Sequence, residues 1–248
     1  ERSVLLERIY GDEVSEEATL HVHNDYFVAL KRIPIPFVPP LQHVFNTEED
    51  EFCLIYKFIY YPGAHYQFMR ALTGEERLEA IRYYLCEMVM ALEGLHRAQL
   101  FYGPIHADDL VVNQEGHLLL HHLPYAHDVS RFTSKEDLVR KSKPLILPPE
   151  MLTGQPYSAH CDWYSLGVLL HVWLFDRLPF ANESATVYQS VLADQLELEE
   201  TPETQSLVEV IRALLHRDPQ QRWDGNGVKH PSFFSETWEW DVHQHKLK

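Results

Sequence analysis

Two long stretches of this chain and one short one carry a clear apolar pattern. Over residues 78–96, Leu78, Ile81, Leu85, Met88, Val89, Leu92 and Leu95 recur at three- and four-residue steps, the period of a helix with one buried face. Over 163–173, Trp163, Leu166, Val168, Leu169, Leu170, Val172 and Trp173 leave almost no polar side, which predicts a helix buried all round at the centre of its domain. The run Phe52-Cys53-Leu54-Ile55-Tyr56-Lys57-Phe58 is short and reads as a strand, followed by a connector at Tyr60-Tyr61-Pro62-Gly63. Between Arg32 and Pro40, repeated X-Pro steps forbid a continuous helix, because proline removes a donor and pushes the residue before it out of the helical region.

No internal repeat or low-complexity run interrupts the chain, and no apolar stretch is long enough to span a bilayer. Its 248 residues suffice for two packed cores. A net charge of −16 argues against nucleic acid and anionic membranes as partners, since both require a basic patch. The 16 histidines would formally cancel that charge if all were protonated, so association that depends on pH is one reading and scattered surface imidazoles the plainer one. Cys53, Cys86 and Cys161 have no metal-binding spacing. Three thiols fit a reducing compartment, and the expected location is cytoplasmic. The alternative is secretion, suggested by the odd cysteine count, the Asn182-Glu183-Ser184 glycosylation pattern and a first residue other than methionine.

The densest motif is Pro148-Pro149-Glu150 through Ser165-Leu166-Gly167, followed by Leu178-Pro179-Phe180, then Leu214 through Arg222 with Asp218-Pro219-Gln220-Gln221-Arg222, then His230-Pro231. Upstream stand Asn113-Gln114-Glu115-Gly116-His117 and Phe27-Val28-Ala29-Leu30-Lys31. Together these resemble the successive landmarks of protein kinases of the AGC group, near the ribosomal S6 kinase-like branch. The resemblance implies one α+β domain of two lobes. A small β-rich lobe, residues 1–61, would lack the regulatory helix, and a larger α-helical lobe would span 62–248.

In that register several catalytic positions hold unfamiliar residues. Pro104 stands where the resemblance places the aspartate that orients the substrate hydroxyl, and His106 replaces the loop lysine. Asp109 replaces the magnesium-binding asparagine, and His122-Leu123-Pro124 replaces Asp-Phe-Gly. Where a glycine-rich loop would bring bare amides against phosphates, the chain reads Gly11-Asp12-Glu13-Val14-Ser15-Glu16. Lys31 then reads as a remnant of the nucleotide site. The expectation is a pseudokinase without phosphoryl transfer, without ATP or any other cofactor, acting as a scaffold, allosteric regulator or client-binding protein.

Two alternatives stand beside it. His106, Asp109 and His122, with His121 beside them, would suit a transition metal in a sensor. A weak unconventional kinase would instead use Asp108 or Asp109 as base and Lys31 on phosphate. The positions expected to hold the scaffold are Glu150, Asp162, Trp163, Gly167 and Arg222; the resemblance implies that Glu150 and Arg222 form a buried ion pair and that Asp162 accepts backbone amides of the catalytic loop. Ile35, Phe37 and Val38 are the candidates for an interface with a protein partner or a second copy, through the sheet face that a missing regulatory helix would leave open.

Overall fold

The structure is a computed structural model that describes residues 4–9, 35–39, 41–46, 52–57, 64–121, 147–155, 158–180, 187–193, 196–229, 233–234 and 240. Its elements divide into a small β lobe and a larger helical lobe, as the resemblance implies. In the small lobe, β1 (Val4–Ile9), β2 (Leu41–Asn46) and β3 (Phe52–Lys57) form an antiparallel sheet in the order β1-β3-β2. The predicted strand at 52–58 is thus the central one, pairing Leu54 with Glu7 on one side and with Val44 on the other. The register with β2 shifts between Leu41 and His43, an irregularity of the bulge kind. Gly11 to Glu16, the strand expected at 27–31 and the connector at 60–63 all lie outside the described residues.

The large lobe begins with α1 (Ala64–Ala71) and α2 (Gly74–Arg97). Helix α2 extends the predicted 78–96 by about a turn at its start, with Glu75 and Glu76 in its first turn and His96 and Arg97 in its last, each sign matching the helix dipole. Its fully buried Ile81, Leu85, Met88 and Leu92 each contribute roughly 1.5–3 kcal/mol of apolar burial. A short 3₁₀ turn (Ala107–Asp109) leads into the hairpin β4 (Leu110–Val112) and β5 (Leu118–Leu120). The tight end of this hairpin is made by Asn113, whose Oδ1 accepts from the amides of Glu115 and His117, and by Gly116 at φ +87°, a conformation glycine enters without strain.

Helix α3 (Pro149–Leu152) precedes α4 (Ala159–Phe175), which is buried on all sides as its pattern predicts. It ends where Asp176 adopts a left-handed conformation and returns its amide to Val172 O at 2.9 Å. Short α5 (Val187–Leu192) and the amphipathic α6 (Gln205–Leu214) follow, and α7 (Gly225–Val228) starts on Asp224, whose carboxylate accepts the amides of Asn226 and Gly227. Gly167 is what lets α4 and α6 approach: a Cβ there would lie 2.9 Å from Leu214 Cβ and 3.0 Å from Leu215 Cδ2.

The proline-rich segment corrects the expectation of a displayed interface. Ile35, Phe37 and Val38 are buried core residues rather than a patch. The Ile35 side chain rests on α2 at Gly94, and Phe37, turned to φ +56°, accepts Leu120 N at its carbonyl over 2.8 Å. Repeated prolines do exclude a helix here, but the apolar residues between them are spent on joining this turn to the large lobe.

Candidate functional site

Asp162, in the first turn of α4, is fully buried and organises the loop at 102–109. Its Oδ2 accepts Tyr102 N at 2.9 Å and lies 2.7 Å from His96 Nε2, while Oδ1 accepts Gly103 N at 2.9 Å. A buried carboxylate at a helix start is doubly favoured, by the dipole and by the amides it satisfies. Trp163 stands edge-on to the His96 ring, with centroids 5.4 Å apart, and so confines the imidazole against Asp162. The Tyr102 hydroxyl donates to His121 O at 2.6 Å, tying the loop to the end of β5.

Pro104 follows directly and carries no acid–base group. Asp109 closes the turn: its Oδ2 accepts His106 N at 2.6 Å, its amide donates to His106 O at 3.0 Å and its carbonyl accepts His121 N at 2.7 Å. His106 and Asp109 are therefore neighbours in one turn, beside the strand end at His121. His122, Lys31 and the Gly11 to Glu16 loop lie outside the described residues. Among the described residues no group of three His, Cys, Asp or Glu side chains is arranged to hold a metal ion.

Behind the loop, Arg222 and Glu150 form a two-pronged pair, both side chains buried, and Arg222 also donates to the carbonyls of His216 and His160. The guanidinium lies over the Tyr164 ring, 4.9 Å from its centroid. Cys161 Sγ points at Glu150 Oε1 from 3.5 Å, and burial first, then the Glu150 charge, push its thiol far above the ordinary range. Cys161 and Cys86 are both buried.

A second buried constellation escaped the sequence reading. Glu87, fully buried on α2, faces the hairpin: Oε1 lies 2.6 Å from His117 Nδ1 and Oε2 accepts Leu118 N at 2.7 Å. Burial raises its pKa, opposed by its hydrogen bonds to His117, Leu118 and Tyr83. A lone glutamate in an apolar helix stretch was the available signal.

Residues 16–234 match the Protein kinase domain family. A RAC family serine/threonine-protein kinase homolog of Dictyostelium discoideum is 30% identical over 215 residues, 85% of this chain and 47% of that protein. The RAC-beta serine/threonine-protein kinase of Homo sapiens is 28% identical over 222 residues, covering 86% and 44%. The yeast serine/threonine-protein kinase YPK2/YKR2 (Saccharomyces cerevisiae) is 27% identical over 214 residues, covering 85% and 31%. The chain thus spans less than half the length of each of these relatives.

These matches overturn the expectation of an inactive pseudokinase without ATP: the three relatives are serine/threonine-protein kinases by name, and none of those names marks the activity as lost. The physical reason for the error is plain. A register counted along one sequence says which residue stands where, while three of the departures it relied on, at the glycine loop, around Lys31 and at His122, fall outside the described residues. The loop that is described is ordered by Asp162 and Asp109 at both ends. With its matched span, its two lobes and this anchored loop, the chain belongs to the protein kinase domain family.

Proposed function

We propose that this chain is a serine/threonine-protein kinase domain of the AGC group, transferring the γ-phosphoryl group of ATP to a protein hydroxyl. The observation that carries the reading is the family match over 16–234 together with relatives that bear that name. Phosphoryl transfer passes through a loose transition state, so positioning and charge neutralisation supply most of the catalysis. A scaffold that fixes the loop is the larger requirement, and the Asp162 clasp on Tyr102 and Gly103 meets it.

The fit to magnesium and ATP is uneven along that loop. Asp109 offers carboxylate oxygens, the hard donors magnesium takes, so it fits the position at which the resemblance expects a magnesium ligand. Pro104 fits no proton-accepting role. The absent group is worth about 10²–10⁴ in rate where general-base catalysis operates. The expected enzyme is accordingly slow beside ordinary kinases, which turn over at about 1–100 per second.

The test is a single-turnover assay with γ-labelled ATP, magnesium, and paired peptides that differ only by serine against alanine. Label should enter the serine peptide at a rate proportional to enzyme, and Asp109→Ala should abolish it while Pro104→Asp raises it. Absence of label from wild type and from Pro104→Asp alike sinks the reading.

A further inference from the structure

The Glu87–His117 pair sits where the two lobes touch. The imidazole is stacked on Tyr83, rings 6.2 Å apart and 14° from parallel, with the Tyr83 hydroxyl 2.9 Å from Nδ1. The Phe37 ring of the small-lobe turn also lies against it, at 5.6 Å and 53°. Three residues further along the hairpin, Leu120 N holds the Phe37 carbonyl at 2.8 Å. The turn is thus secured by a hydrogen bond and by the face of a histidine whose ring nitrogen meets a buried carboxylate.

We propose that Glu87 and His117 form a one-proton latch that holds the 35–39 turn on the large lobe, closed while the pair keeps its proton and loosened when the proton is lost. With the proton, the pair is either carboxylate and imidazolium or carboxylic acid and imidazole, and carries no net charge. Loss of the proton to solvent leaves a buried carboxylate against a neutral ring, supported by Leu118 N and the hydrogen bond from Tyr83. A buried carboxylate that faces a neutral ring is costlier than one that faces an imidazolium. The His117 side chain is 15% exposed and Glu87 fully buried, so hydrating the carboxylate requires the imidazole to move, and that movement breaks its contact with the Phe37 ring and loosens the turn.

Among the described residues, the titratable and charged groups around the pair are few. Helix α2 contributes Tyr83 and Tyr84, the latter's pKa raised first by burial and then by the Glu87 charge. The hairpin contributes exposed Glu115, and the 35–39 turn contributes none. His65 of α1 lies beyond Trp173 and the Tyr84 ring. The sign follows from Glu87: its pKa is raised in the folded chain, so its contribution is present at low pH and lost as pH rises through the folded value.

Hydrogen exchange followed by NMR on the whole chain, corrected for intrinsic rates, tests this from the ordinary carboxylate value of 4.5 up to about pH 9. Protection of the Leu120 amide should fall by up to about tenfold per pH unit on the alkaline side, one proton being involved. The Leu166 amide in the centre of α4 should hold steady, and Glu87→Gln should make Leu120 protection independent of pH. Flat protection of Leu120 in wild type overturns the latch, as does a fall in step with Leu166 or an unchanged fall in Glu87→Gln. Should that variant not fold, the contrast between Leu120 and Leu166 in wild type still decides.

Discussion

Arg222 grips Glu150 with both terminal nitrogens, Nη1 to Oε1 at 2.6 Å and Nη2 to Oε2 at 2.9 Å, across 72 residues of chain. Planar, two-point pairing is the geometry in which an ion pair is strongest, and here both side chains are buried. Removing one partner strands the other charge, so Arg222→Ala should destabilise the domain by about 3–5 kcal/mol. Replacing both residues by apolar ones of similar volume should cost less than the single change. Urea denaturation of both variants beside wild type checks this, and an Arg222→Ala variant no less stable than wild type would show that the pair is not what joins α3 to the Asp218–Arg222 turn.

Asp162 is the parallel case for the loop. Asp162→Ala leaves the amides of Tyr102 and Gly103 without their acceptor in the interior, at about 1–3 kcal/mol for each buried group stranded. Asp162→Asn keeps one acceptor oxygen and should fall between alanine and wild type. Both should slow phosphoryl transfer more than Arg222→Ala does at a temperature where every variant is folded, because only Asp162 touches the loop. Equal rates at equal folded fraction would assign Asp162 to the scaffold alone.

Much of this was legible beforehand, for identifiable reasons. Helices α2 and α4 announce themselves because burial of one face, or of all faces, imposes a periodicity that survives in a single sequence. Glu150, Asp162 and Arg222 were singled out by the resemblance to kinase motifs, not by any pattern of their own. Strand β1 was missed: six residues without alternation pair with β3 some fifty positions away, and only that distant partner makes them a strand. Glu87 and His117 were missed for the same reason, since neither a glutamate within a helix nor a histidine after a turn discloses the other. In the 35–39 turn, proline chemistry excluded a helix but could not say whether Ile35 and Phe37 face water or Gly94.

That contact gives the next prediction. A Cβ on Gly94 would stand 2.6 Å from Ile35 Cγ2, too close for the present packing. Gly94→Ala gains helix propensity of roughly 0.8–1 kcal/mol, but overpacking typically costs about 1–3 kcal/mol. The net should be a loss. Ile35→Ala in the same background should return part of it, so that the double variant is more stable than the sum of the single changes predicts. Strict additivity in a double-mutant cycle would show that the two residues are not in contact.

Cys161 should be chemically silent in the folded chain. Burial and the Glu150 charge hold it as a thiol, and the thiolate is the reactive form. Alkylation at neutral pH should therefore follow global unfolding, with the same denaturant midpoint as the loss of helical signal. Modification well below that midpoint would mean the Glu150 region opens locally.

His171 gives the last prediction, with a sign opposite to that of Glu87. It is buried on α4, and its Nδ1–H donates to Arg177 O at 2.8 Å. Burial lowers its pKa, helped by the Arg177 charge and opposed by backbone hydrogen bonds at Arg177 and Glu197. The folded chain therefore keeps the ring neutral at a pH where the unfolded chain has begun to protonate it. Its contribution to stability is full above the unfolded value, about 6.5, and is lost as pH falls through the lower folded value. One such group changes stability by at most about 1.4 kcal/mol per pH unit. Urea midpoints measured from about pH 7 down to about pH 5 should fall more steeply for wild type than for His171→Asn, which retains a donor for the Arg177 carbonyl but cannot titrate there. Parallel slopes would move the acid sensitivity to other groups, and a steeper slope in His171→Asn would mean that the ring is charged in the folded chain.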